Sequence, residues 1–169
     1  MLVATTSHGP VTGLVCDDRA AVRRMVTALL LRCGYDETVA IDAAAALRGA
    51  LDERRPTVAV VALPLLGMGG LTAVRDLLGP RPWLRLVLLS EFDELSGAAV
   101  EAGATALVPE DDPMLLQVHL LGVLASVDPS AAGPVSVALP GTGQVVLPSA
   151  RSGAGTSAGT GSRRTNPDW

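Results

Sequence analysis

The chain has 169 residues, 49% of them hydrophobic at a mean hydropathy of +0.40, which is enough apolar material for one good core. Aromatics make up only 2%, so that core must be built from Leu, Val and Ala, and a formal charge of −4 argues against direct nucleic-acid binding, which needs clustered cations. All 13 basic residues are Arg, which excludes any mechanism that needs a lysine ammonium.

The opening MLVATTSHGP has no basic segment followed by an apolar one, so residues 1–10 are expected to form a flexible N-terminus rather than a secretory signal. Val11 to Cys16 is a short apolar run that reads as a strand. Val22, Met25, Val26, Leu29 and Leu30 then recur at i, i+3, i+4, i+7 and i+8, the stripe of a helix, with Gly34 as its stop. Thr38 to Ile41 reads as a strand and Ala43 to Glu53 as an Ala-rich helix. Thr57 to Leu63 has the continuous apolar character of a strand buried on both faces, and a helix is predicted from about Gly70 to Leu78. Leu84 to Ser90 repeats the all-apolar strand, followed by a helix near Ser96 to Ala102. A last strand, Thr105 to Val108, and a last helix, Pro113 to Ser126, complete the alternation.

Five rounds of strand then helix, with apolar rather than alternating strands, indicate an α/β domain over residues 11–127 with a parallel sheet covered on both faces. Function in such sheets gathers at the carboxyl ends of the strands, so the residues just after each strand are the candidates. The composition then shifts: residues 129–169 contain 18 Gly, Pro or Ser among 41. The tract 128–169 is therefore expected to be a disordered tail, with at most an extended piece around SVALPGTGQVVL. Gly and Pro interrupt the longest apolar run before it reaches 18 residues, so no membrane span is expected. Cys16 and Cys33 lack the spacing of a disulfide framework and suit a reducing, cytoplasmic setting. A strand cysteine beside carboxylates has its thiolate disfavoured, which argues against redox sensing by Cys16. His8 and His119 have no partner pattern and are assigned no role.

The strand ends carry a resemblance. GLVCDDRAAVRRMVTALL, TVAVVALPLLGMGGLTAVRDLL, LLSEFDELSGAAVEAGA and AGATALVPEDDP are similar, in order and spacing, to the motifs of bacterial response-regulator receiver domains over roughly residues 9–127. The resemblance implies a flavodoxin-like, doubly wound five-stranded parallel sheet with five helices and strand order 2-1-3-4-5. It also implies roles by position. Asp17 and Asp18 match the family's acidic pair, Ser90 its hydroxyl, Leu107 its switch aromatic and Glu110 its lysine, and GMGG at 67–70 its Gly-rich turn. Ala62 stands where the family has its phosphoacceptor aspartate. The match is thus to a degenerate, pseudo-receiver member.

An alanine methyl has no lone pair to attack phosphorus and no oxygen for a metal. Glu110 replaces an attraction for a phosphoryl anion by a repulsion, and at about 5 Å and an effective dielectric near ~20 each such pair amounts to roughly 3 kcal/mol. Aspartyl phosphorylation is therefore not expected. The surviving acids have several readings: solvated strand-end residues with Asp18 also capping the first helix, a weak Mg²⁺ site or dock for a basic partner, or a coupled carboxylate pair with a raised pKa. Metal binding by Asp17 and Asp18 is expected to be weak if it occurs, and no other cofactor is implied.

PMLLQVHLLGVLASV is apolar around most of its circumference, whereas a terminal helix has one face on the sheet. Two or three surplus side chains would each gain roughly 1.5–3 kcal/mol by being covered. Leu116, Leu120, Leu121, Val123 and Leu124 are therefore expected at an interface with a second copy or another protein, unless the tail covers them. The expected function is an orphan, non-enzymatic receiver-like signalling module acting by protein–protein interaction. The alternatives are the receiver part of a transcriptional regulator without its DNA-binding domain, or a pseudo-receiver that senses a small ligand. No phosphate-cradling or nucleophile-elbow motif supports an enzyme.

Overall fold

Val, Leu and Ala with few breaks make strands that bury both faces, and the chain pairs them into one parallel sheet. The computed structural model describes residues 9–127; the expected tail and its candidate extended piece lie outside them. In chain order the elements are β1 (Thr12–Cys16), α1 (Ala20–Cys33), β2 (Glu37–Ile41), α2 (Ala44–Arg54), β3 (Val58–Ala62), α3 (Gly70–Leu78), β4 (Arg85–Ser90), α4 (Ser96–Glu101), β5 (Ala106–Pro109) and α5 (Pro113–Val127). Short 3₁₀ segments, Leu63–Gly69 and Asp93–Leu95, lead into α3 and α4. The sheet order is 2-1-3-4-5, with every pairing parallel.

Alternate residues of β1, β3, β4 and β5 feed two cores, while the edge strand β2 adds Val39 and Ile41 to one of them. Leu14, Cys16, Ala59, Val61, Leu86 and Leu88 pack beneath α2, α3 and α4, while Val15, Val58, Val60, Val87 and Leu89 pack beneath α1 and α5. α1 stops where the sequence predicts. Gly34 adopts φ 105°, a left-handed conformation that a Cβ would strain, and the N–H groups of Gly34 and Tyr35 close on the carbonyls of Leu31 and Leu30.

The expected interface on α5 is corrected. Leu116, Leu120 and Val123, at i, i+4 and i+7, are buried against α1 and the sheet, and Leu121 and Leu124 are half-buried on the same core. The Tyr35 hydroxyl donates to the Leu120 carbonyl at 2.9 Å and fixes this rotation of the helix. A helix apolar all round gives no sequence signal for which stripe meets the sheet. The large apolar side chains left exposed on α5 are Met114, Leu115, Val118 and Val127.

Candidate functional site at the carboxyl end of the sheet

The strand register sets the site. Cys16 lies opposite Val61, Ala62 opposite Leu89, and Ser90 opposite Pro109, so Asp17, Ala62, Ser90 and Glu110 form a row along the carboxyl edge. The Asp17 N–H donates to the Ile41 carbonyl and the Glu110 N–H to the Ser90 carbonyl, each at 3.2 Å, which fixes both ends of the row.

Asp17 is fully buried and would be costly there without a counter-charge. Arg19 supplies it. The Arg19 backbone N–H and Nε donate to Asp17 Oδ1 at 2.8 and 3.0 Å, and Nη2 donates to Oδ2 at 2.9 Å. The first of these is the turn that an Asp side chain commonly makes with the amide two residues on. The remaining arm of the guanidinium, Nη1, donates to Glu110 Oε2 at 2.5 Å. Asp18 Oδ1 stands 3.9 Å from Arg19 Nε. Arg23 Nη1 donates to the backbone carbonyls of Asp17 and Asp18 at 2.7 and 2.9 Å. One arginine thus bridges the ends of β1 and β5 across the mouth of the site.

Three expectations change here. Asp17 is not a solvated strand-end residue. Asp18 does not cap α1: the N-cap position is Arg19, without a side-chain cap bond, and Asp18 is 68% exposed. The Asp17 carboxyl also lacks the raised pKa of a coupled pair. Burial pushes the Asp17 carboxyl up, but the Arg19 side-chain and backbone hydrogen bonds outweigh it and hold the carboxyl below its ordinary value. The same bonds, to Asp17 first and Glu110 second, raise the Arg19 guanidinium. The expectation for Cys16 stands, since burial and then the Asp17 charge push its thiol up to about 11.

A resident Mg²⁺ does not fit these residues. The metal needs several oxygen ligands, yet both Asp17 oxygens already accept from Arg19, Glu110 Oε2 does the same, and buried Ala62 offers a methyl. Among the described residues, no group of three or more His, Cys, Asp or Glu side chains is placed to hold a metal ion.

Ser90 is buried, and its Oγ accepts the Phe92 N–H at 3.0 Å. It lies at the base of a groove of about 540 Å³ between the β3–α3 and β4–α4 connections, lined mainly by Leu63, Pro64, Met68, Leu71, Phe92 and Leu95. Gly67, at φ 71°, turns the chain there and leaves Met68 in solvent. Leu107 is buried in the core below.

Solved structures share this architecture. The signal receiver domain of the response regulator NarL from Mycobacterium tuberculosis matches 71% of this chain over 98% of its own, at 22% identity and a TM-score of 0.56. A LuxR-family two-component response regulator from Aurantimonas sp. SI85-9A1 matches 70% of the chain over 87% of its own, at 25% identity and a TM-score of 0.58. The fold is that of a response-regulator receiver domain. RcsB from Salmonella typhimurium, a response regulator studied for its interaction with DNA, carries the same receiver fold at 16% identity and a TM-score of 0.60; the chain spans 62% of its length. No protein-family model and no curated protein matches this sequence.

Set on the receiver fold, the row holds four of the predicted positions, Asp17, Ala62, Ser90 and Glu110, with Asp18 exposed beside Asp17. Sequence reasoning missed Arg19 and Arg23. The signal for Arg19 was available: a cation directly after an acidic pair, in a chain whose last strand ends in an unexpected acid.

Proposed function

We propose that this chain is a receiver-fold signalling module that works by binding proteins and not by aspartyl phosphorylation. One observation carries the reading: the row at the carboxyl edge has a buried methyl, Ala62, at the position between Asp17 and Ser90. No nucleophilic oxygen stands there to take a phosphoryl group. The output surface is the face made by α4, β5 and α5. Phe92, Leu95 and Val100 are exposed before and on α4, as are Met114, Leu115 and Val118 on α5, although these helices cover opposite faces of the sheet. Residues 86–127 hold seven carboxylates and no Arg, so the face suits a partner with apolar and basic groups and repels nucleic acid. Incubation with acetyl phosphate is expected to leave the intact mass unchanged, and an acid-labile phosphoryl adduct on Asp17 or Asp18 overturns the reading. Light scattering or partner capture that is weakened by Val118→Asp supports the face; a strict monomer with no V118D-sensitive partner removes it.

The groove beside Ser90 and Phe92 favours a second reading, in which a small apolar ligand with a hydrogen-bond acceptor biases the same face.

A further inference from the structure

We infer that the start of α5 docks into an Arg-bearing groove on α1 of a second copy of this chain, in a head-to-tail contact. This rests on the reading above that the chain works by binding proteins, and it names the partner that the α5 part of the face takes. Two surfaces carry the inference. The first is the exposed trio Met114, Leu115 and Val118, preceded by Asp111 and Asp112 on a helix that has no Arg, Asp or Glu of its own. The second is a groove of about 370 Å³ between α1 and β2, lined by Ala20, Thr27, Ala28, Leu31 and Ala40 together with Arg23 and Arg24. Leu31 is 52% exposed there, and α1 carries three Arg and no carboxylate. Among the described residues Arg24 forms no ion pair, so its charge is open to a partner.

The two surfaces fit each other in chemistry. Each has an apolar centre, one bordered by carboxylates and the other by guanidinium groups, so attraction at the rim accompanies burial at the centre. Two copies of the α5 surface do not fit in this way, because pairing them brings together two acidic patches with no Arg from residue 86 to 127. Nor do the surfaces compete within one molecule. α1 and α5 cover the same face of the sheet, with the groove on the β2 side of α1 and α5 against β5. A copy whose α5 is docked therefore keeps its own groove open, and such a contact propagates as a chain or closes as a ring. One helix set in one groove is a small interface, below about 1,200 Å² in total, so the contact is expected to be weak and quickly exchanging.

The test is analytical ultracentrifugation of the full chain across concentration and salt. Wild type is expected to self-associate at high micromolar concentration in low salt and to dissociate as salt is raised. Arg24→Glu and Val118→Asp, both at exposed positions, should each weaken association by about tenfold or more. An equimolar mixture of R24E and V118D is expected to recover a mixed dimer and nothing larger, because the intact α5 of the first meets the intact groove of the second. Leu31→Asp in place of R24E should give the same result, which covers a failure of R24E to fold. A monomeric wild type, association that salt does not weaken, or a mixture that stays monomeric overturns the inference. R24E that associates normally while V118D does not points to pairing of like α5 faces; it overturns the head-to-tail contact and leaves the proposed output face standing. A monomer that still captures a V118D-sensitive partner does the same. A phosphoryl adduct overturns the proposed function by a separate readout.

Discussion

The two ends of the sheet each carry a buried charge, with opposite signs. At the carboxyl end the carboxylate of Asp17 is fully buried and its partner Arg19 is 43% exposed. At the amino end the guanidinium of Arg81 is 5% exposed and its partner Asp52 is 62% exposed, with Arg81 Nε donating to Asp52 Oδ1 at 2.8 Å and Nη1 to the Leu77 carbonyl at 2.8 Å. Nearby, Arg55 stacks 4.2 Å from the Trp83 ring centroid. The amino-end arginine is a strut, its stem packed in protein and its head tied to a backbone carbonyl. The carboxyl-end arginine is a counter-ion, held by groups that need its charge. In each case the buried member cannot tolerate loss of the exposed one, because removing a partner leaves an uncompensated charge.

That asymmetry can be broken deliberately. The largest effect is expected from Arg19→Ala, which strands the Asp17 carboxylate and should cost about 2–3 kcal/mol in urea unfolding, since water entering the gap offsets part of the usual loss for a buried pair. Adding Asp17→Asn to that variant should recover most of the loss, and a double-mutant cycle measures the coupling. At the other end the sensitive partner is the acid. Asp52→Ala should cost about 1–2 kcal/mol, less than R19A because the Leu77 carbonyl still accepts from Arg81.

The smallest effect is pH dependence. The folded Asp17 carboxyl lies below its ordinary value of 3.8, so it contributes stability that is present above that value and lost as pH falls through the folded pKa. Wild type should therefore lose this component in acid, and D17N should lack it. Equal acid profiles for the two proteins would count against the Arg19–Asp17 bond as the cause.

Most of the fold was legible because its signals are local. Continuous apolar strands specify a parallel buried sheet, the stripe from Val22 to Leu30 specifies α1, and Gly34 marks its stop. The row of strand-end residues was legible for the same reason, since position after a strand is a sequence property. The two failures are both questions of direction. On α5, apolar side chains on every side left the choice between the Leu116–Leu120–Val123 stripe and the Met114–Leu115–Val118 side to a tertiary contact, the Tyr35 hydroxyl on the Leu120 carbonyl. At the site, the acids were read without a cation partner, and Arg19, which follows them directly, was assigned no role. Only the fold brings Glu110, 91 residues away, onto its other arm.

The margins of the sheet constrain how such a module can associate. β5, at one margin, is four residues long and ends in Pro109, which has no amide hydrogen to offer. A strand from another molecule would find little backbone to zip onto there, a common safeguard against runaway edge pairing. Assembly on this side must then be written in side chains, where single substitutions can retune who docks without disturbing the ladder beneath.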